Sequence, residues 1–235
     1  MINIAIIIPT YNRPWLLEKL IWELYYAARG EIDYVVHYLI FDDHSDRQEE
    51  YLRVLGSSQL MGDRQTWITY ERMPFNHGRG RFFELWTKML QAVREEEFEY
   101  VVALGDDMKV APDFFSAAIT AFEGYRERDP NVVAMNLFPA MKAGWGHKDY
   151  LDGAFIARRE FFDLIDWHIP EPQKSRPKNP LASSGIGKFM TNAINDGGGY
   201  QIAPNEQVFA APRAGVASVM FPGRKGETWA KNLQV

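Results

Sequence analysis

The sequence contains no cysteine. That single absence excludes disulfides, thiolate nucleophiles and Cys-ligated zinc, so packing alone must hold the fold and a cytoplasmic location is the expectation. A large excess of either charge is lacking as well. Lys and Arg total 26 against 31 Asp and Glu, for a net charge of -5, which gives no overall pull toward nucleic acid or anionic lipid. No apolar stretch approaches the ~20 residues of a membrane span. The first run, Ile4 to Ile8, is short, lacks a basic segment before it and ends at Pro9, which excludes a signal-peptide core. No integral membrane segment is expected, and internal repeats and low-complexity segments are lacking too.

What is present is ordinary globular material, 46% hydrophobic and 24% charged over 235 residues, enough for one sizeable core and long for two. A single domain, 1–235, is expected. Strand-like runs alternate with helical patterns, which predicts an α/β fold with a mainly parallel central sheet flanked by helices on both faces. Asn3 to Ile8 reads as a strand buried on both sides. Pro14 then opens a helix whose stripe is Leu16, Leu17, Leu20, Ile21 and Leu24, with Gly30 as its stop. Tyr34 to Phe41 is the second strand, and a short one follows around Trp67 to Tyr70. Helices are expected from about Arg81 to Glu97, from Pro112, and near Ile186 to Ile194, with further strands at Tyr100 to Leu104, Val132 to Asn136, Tyr150 to Ala157 and on either side of Pro204. Residues 166–182 hold several prolines and few apolar anchors, so they read as a mobile loop. The tail from Arg213 is rich in glycine and basic residues.

Ligands of open α/β sheets collect at the carboxyl ends of strands. Three such ends carry unusual residues: Pro9-Thr10-Tyr11-Asn12-Arg13 after the first strand, Asp42-Asp43-His44-Ser45-Asp46 after the second, and Asp106-Asp107 after Leu104-Gly105. Each alone is compatible with plain turn chemistry, since Asn, Asp and Pro favour turns for conformational reasons. Their joint occurrence points to a site.

In order and spacing, Ile6-Ile7-Ile8-Pro9-Thr10-Tyr11-Asn12-Arg13, Phe41-Asp42-Asp43-His44-Ser45-Asp46, Gly78-Arg79-Gly80-Arg81 and Leu104-Gly105-Asp106-Asp107 with Pro112-Asp113 resemble the motifs of the family-2 glycosyltransferases and their GT-A relatives. The resemblance covers roughly residues 3–165. It implies a GT-A (Rossmann-like nucleotide-diphospho-sugar transferase) fold, with a nucleotide-sugar-binding half over 1–110 and an acceptor-side half over 111–235.

It also implies roles. Pro9, Thr10, Tyr11, Asn12 and the adjoining backbone would line the nucleotide pocket, and Asp42-Asp43 would close it, with Asp43 accepting a hydrogen bond from the base. Asp106 would contact the ribose and join Asp107 as a metal ligand. Asp107 would ligate Mn2+ or Mg2+, since hard cations take oxygen ligands and commonly bind one or two carboxylates plus the substrate's phosphates. Arg13, Arg79 and Arg81, with Gly80 between the last two, are the candidates for the diphosphate, because guanidinium matches phosphate geometry. Asp152-Gly153 falls where the family has a strand of small residues beside the sugar and acceptor, and Gly153 would let substrate approach the backbone.

The sequence departs from the family pattern in two places. No carboxylate stands near Ser183-Ser184-Gly185, where inverting members usually carry their base, so Asp152, Glu171 and Asp196 are the candidates for it; a retaining reaction without a base and a loss of activity stay open. The late metal-binding histidine is lacking too: the last His is His168, and Asn205, Glu206, Glu227 or water would complete the sphere. His77 reads as a solvated loop residue. The implied activity is transfer of a sugar from a nucleotide-diphosphate sugar, a UDP-sugar first, to an acceptor hydroxyl on a glycan, a small molecule or a modified base in DNA. The last would use the basic residues Arg213, Arg224, Lys225 and Lys231. The alternatives are a nucleotidyltransferase of similar fold and a non-catalytic nucleotide-sugar-binding protein.

Overall fold

The computed structural model describes residues 2–29, 34–57, 66–78, 80–138, 151, 154–171, 186–205 and 207–213. Strands β1 (Ile2–Thr10), β2 (Tyr34–Asp42), β3 (Thr66–Arg72) and β4 (Tyr100–Ala103) alternate with helices α1 (Pro14–Ala28), α2 (Gln48–Ser57) and α3 (Phe82–Arg94). After β4 come β5 (Met108–Val110), α4 (Phe114–Arg128), β6 (Val132–Asn136), β7 (Phe155–Arg158), α5 (Arg159–Leu164), α6 (Ile186–Asp196), β8 (Gln201–Ala203) and β9 (Ala210–Pro212). Seven strands form one sheet in the order β3-β2-β1-β4-β7-β6-β8, while β5 and β9 pair separately. All pairings in the sheet are parallel except those of β7, which runs antiparallel to both β4 and β6. The predicted α/β fold with a mainly parallel, helix-flanked sheet is what the chain adopts; the reversed β7 is an addition.

The period-2 alternation of a strand sends successive side chains to opposite faces. Ile4, Ile6 and Ile8 meet Leu17, Leu20 and Leu24 of α1 and the Phe114, Phe115 and Phe122 side of α4. Ala5 and Ile7 face Leu85, Met89 and Val93 of α3 and the aromatic residues Phe155 and Phe161. A strand covered on both faces has no polar position to offer, which explains the unbroken apolar run at Ile4–Ile8.

Three elements went unanticipated. Helix α2 buries only Tyr51 and Leu55, too few positions for a periodic stripe. β5 and α5 are too short to leave a pattern. The expected mobile loop 166–182 is wrong at its start: Trp167 and Ile169 are buried, and Ile169 exchanges hydrogen bonds with Thr87 Oγ1 through its N–H at 3.0 Å and its carbonyl at 3.2 Å. An aromatic and a β-branched side chain suffice to anchor a segment despite its prolines. Residues 172–182, Gly30, and the tail beyond Arg213 lie outside the described residues. Among the described residues no helix is long and apolar enough to cross a membrane.

Candidate active site

Strand order reverses between β1 and β4: from β1 the chain steps outward to β2 and β3, then returns to β4 on the other side. A crevice opens at the carboxyl end of such a switch point. Pro9 widens it. Ile7 O accepts the Leu104 N–H at 3.1 Å, and Pro9, two residues on, aims its missing donor at the same neighbour, so the β1-β4 ladder stops there. Register then fixes what meets across the gap. Ile7 is level with Ala103, so three residues later Thr10 comes beside Asp106.

Thr10 Oγ1 donates to Asp106 Oδ2 at 2.7 Å. Its single proton is thereby used, so the 2.7 Å contact with Tyr51 Oη has the tyrosine donating to Thr10. Tyr51 Oη in turn accepts the Arg13 backbone N–H at 2.9 Å. The result is a one-way chain, Arg13 N–H to Tyr51 to Thr10 to Asp106, that ties the loop after β1 to the loop after β4. The Arg13 side chain closes the ring, with Nη2 on Asp106 Oδ1 and Nη1 3.5 Å from Asp107 Oδ2. Asp106 is 0% exposed. Burial pushes its carboxyl up to about 7 against the pull of Arg13 and the Thr10 hydroxyl, with the Asp107 charge adding to the rise.

Asp107 keeps 20% of its side chain exposed. Its carbonyl accepts the Arg213 N–H at 2.8 Å, and the Arg213 guanidinium grips Glu23 of α1 at 2.9 and 2.8 Å, so β9 clamps the Asp107 loop onto α1. A Cβ at Gly105 would stand 2.8 Å from Asp107 Oδ1, so a side chain there would displace the Asp107 carboxylate.

The loop after β2 is braced to the loop after β1 by the Asn12 N–H on Ser45 Oγ at 2.7 Å and the Asp46 N–H on Asn12 Oδ1 at 2.9 Å. Asn12 and His44 both sit at positive φ, 55° and 62°, a region these residue types enter more readily than most. Asp42 is wholly buried. Its carboxylate accepts the Ser45 N–H at 2.9 Å and the Tyr70 hydroxyl at 2.8 Å, with Arg72 Nε 3.9 Å away; burial and the neighbouring carboxylate hold the Tyr70 phenol well above its ordinary pKa. Asp42 was expected to bind the nucleotide sugar. With no surface and both oxygens engaged, it holds the loop instead.

Asp43 takes its N–H to Thr10 O at 2.9 Å, which puts it on the same edge as Asp106. Its Oδ1 accepts the His77 N–H at 2.8 Å and His77 Nδ1 at 2.6 Å, and Oδ2 accepts the Gly78 N–H at 3.2 Å. The positive φ of Gly78, 52°, turns that N–H. His77 is therefore no solvated loop residue but a buried partner of Asp43. A carboxylate has about four acceptor sites, so Asp43 Oδ2 retains one.

The remaining expected residues divide. Pro9, Tyr11 and Asn12 are half-buried along the mouth of the crevice. Arg81 is not drawn in: its side chain is 54% exposed, forks onto Glu84 at 2.6 Å by two bonds and stacks over Phe75 at 4.4 Å, because an i,i+3 carboxylate is its nearest acceptor. Gly80 is exposed, with open space where a side chain would stand. Arg79, Asp152, Gly153, Ser183 to Gly185, Glu206, Glu227, Arg224, Lys225 and Lys231 lie outside the described residues. Asp196 is on the wrong edge: α6 ends where β8 begins, and β8 runs parallel to β6 toward the site. Arg213 is paired with Glu23 and so is not available to DNA phosphate.

Tyr51, Ser45, His77 and Gly105 are the residues sequence reasoning missed. Only Ser45 and Gly105 stood within the quoted motifs; a tyrosine in a helix and a loop histidine give no local signal.

Among the described residues no group of three or more His, Asp or Glu is arranged to hold a metal ion. Asp106 has one oxygen on Thr10 and the other on Arg13 and is wholly buried, which counts against the expectation that it coordinates. Asp107 fits better. Its Oδ1 takes no hydrogen bond among the described residues and its Oδ2 has only the long Arg13 contact, so one carboxylate oxygen is available beside phosphate and water, a sphere that Mg2+ accepts.

No protein-family model matches the chain, and no curated protein is similar to it in sequence. Solved structures do match. Residues 1–349 of S. aureus TarS in complex with UDP-GlcNAc superpose with a TM-score of 0.61 at 15% identity, over 93% of this chain and 60% of that one. The mannosyltransferase PcManGT from Pyrobaculum calidifontis, in complex with GDP-Man and Mn2+, gives 0.59 at 16% identity, over 90% of this chain and 58% of that one. These neighbours are glycosyltransferases with a GT-A fold, and the chain shares that fold. It spans about 60% of their length.

Proposed function

We propose that the chain transfers a sugar from a nucleotide-diphosphate sugar, a UDP-sugar in the first instance, to an acceptor hydroxyl. The observation that carries this reading is the meeting of Thr10, Arg13, Asp106 and Asp107 across the switch point of a GT-A sheet. The ligands of the two neighbours, UDP-GlcNAc and GDP-Man, are of the same donor class.

In this reading the loop Pro9 to Asn12 lines the nucleotide, and the remaining acceptor site of Asp43 Oδ2 takes a base N–H. Asp106, held by Thr10 and Arg13, presents its loop to the ribose. Arg13 is the described cation beside the diphosphate, and Asp107 holds Mn2+ or Mg2+. When bound, the ion offsets charge on the departing diphosphate. Asp152, two residues before the buried Ala154, receives the proton of the acceptor hydroxyl. The acceptor is a glycan or a small molecule.

Calorimetry with UDP and with GDP, each with and without Mn2+, tests the donor half. Binding is expected to need Mn2+ and to weaken at least about tenfold, or ~1.4 kcal/mol, in Asp107→Ala. Wild-type protein that binds neither nucleotide in Mn2+ would sink the reading. Release of a nucleoside diphosphate from a donor separates it from a nucleotidyltransferase, which would release pyrophosphate.

A further inference from the structure

Arg13 holds more than a phosphate-binding residue needs. Its guanidinium lies between two carboxylates, pressed on Asp106 Oδ1 through Nη2 and only loosely on Asp107 Oδ2, 3.5 Å from Nη1. Its Nε is buried and has no hydrogen-bond partner among the described residues. A buried donor without an acceptor is costly, so this side chain is poised one acceptor short. Its backbone, in contrast, is fixed: the N–H is held by Tyr51 Oη at 2.9 Å, and Pro14 follows at the first position of α1. Any rearrangement is therefore confined to the side chain.

We propose that Arg13 is the internal counter-cation of the Asp106–Asp107 pair. Its guanidinium and a divalent ion compete for Asp107, and the guanidinium turns to the donor's diphosphate when it loses. This inference rests on the proposed donor and metal roles of the site.

Two positive charges at one carboxylate repel each other, so Nη1 leaves Asp107 when that oxygen takes a divalent cation. Asp106 is fully buried and its hold on Nη2 is the closer one, so the arginine pivots about that contact rather than leaving the site. The pivot frees Nη1 for an acceptor that arrives with the cation, a diphosphate oxygen in the proposed function. Cation and diphosphate then bind with positive coupling, because the first removes the contact that keeps Arg13 from the second. Before either binds, Arg13 offsets one unit of charge on the two acids and keeps the loops joined.

The opposite signs of two effects test this. Mn2+ affinity without nucleotide is read from the electron paramagnetic resonance of free Mn2+, and UDP affinity in saturating Mn2+ by calorimetry. Arg13→Gln removes the competitor, so it is expected to bind Mn2+ at least about threefold tighter and UDP at least about tenfold weaker. Arg13→Lys keeps a charge between the acids and stays near the wild-type Mn2+ affinity. A merely structural role weakens both ligands together in Arg13→Gln, and that result, or unchanged Mn2+ affinity, overturns the proposal. Should Arg13→Gln fail to fold, wild-type protein labelled with 15N-arginine decides the matter: the Arg13 Nε–H resonance, assigned by its loss in Arg13→Lys, moves on adding Mg2+, and a resonance unmoved at saturation overturns the proposal. Wild type that binds no Mn2+ even with UDP present removes the metal role as well, an outcome distinct from binding that is indifferent to Arg13.

Discussion

Asp42-Asp43 closes β2 and Asp106-Asp107 follows β4, on the same edge of one sheet, yet the groups around the two pairs differ in kind. The first pair is surrounded mainly by backbone N–H donors, from Ser45, His77 and Gly78, with the Tyr70 hydroxyl and the His77 ring added. The second is met by side chains, the Thr10 hydroxyl and the Arg13 guanidinium. Backbone donors cannot leave without undoing the loop that carries them. Side-chain donors can exchange one acceptor for another through rotamer changes alone. Identical dipeptides thus serve as a fastener in one place and as an exchangeable site in the other.

The contrast breaks most sharply at Asp42. Asp42→Ala strands the Ser45 N–H, the Tyr70 hydroxyl and the Arg72 charge, so it should lower stability by about 3–5 kcal/mol; urea denaturation measures it, and a loss below ~1 kcal/mol would make the two pairs alike. Next in size is Tyr51→Phe, which interrupts the chain from the Arg13 N–H to Thr10. An expected loss of about 1–3 kcal/mol, together with weaker nucleotide binding, would show that the exchangeable site depends on a fixed support.

A smaller effect sharpens the comparison by pH. Asp106 has its carboxyl raised from 3.8 to about 7 by burial. Between those values the folded state holds a proton that the unfolded state has released, so its contribution to stability is full below about 4 and lost as pH rises through about 7. Thermal melts in a chelator should therefore show wild type losing ground to Asp106→Asn across that window as pH rises; a constant gap refutes the assignment. The smallest effect belongs to Arg81→Ala. That side chain faces solvent, pairs with Glu84 of the helix it opens and otherwise covers only the exposed Phe75 ring, so melting temperature and nucleotide affinity should both stay at wild-type values.

Much of this was readable from residue order. Ile4–Ile8, the Leu16 to Leu24 stripe and the Leu85, Met89 and Val93 face announce their elements, because burial on one face imposes a period on the sequence. The acids at strand ends were readable as a cluster but not by role. Asp42 and Asp107 look alike in sequence, and what separates them is the partner brought by a distant segment: Tyr70 and Arg72 from β3 for one, Arg13 from the loop after β1 for the other. Arg81 misled for the same reason, since its neighbour Glu84 lies within a turn of helix and claims it first. Tyr51 left no trace at all, because a hydroxyl that completes a hydrogen-bond chain has no period and no motif.

Local chemistry in the sequence determined which segments become strands and helices, where Pro9 ends a ladder, and that carboxylates gather at one edge of a parallel sheet. The tertiary structure alone decided the order β3-β2-β1-β4, hence which loops face each other across the switch point and which acid is buried beside which cation. Propensity and periodicity act over a few neighbouring residues, whereas hydrogen-bond partners and desolvation are set by contacts between distant segments, 96 residues apart from Thr10 to Asp106 and 190 from Glu23 to Arg213.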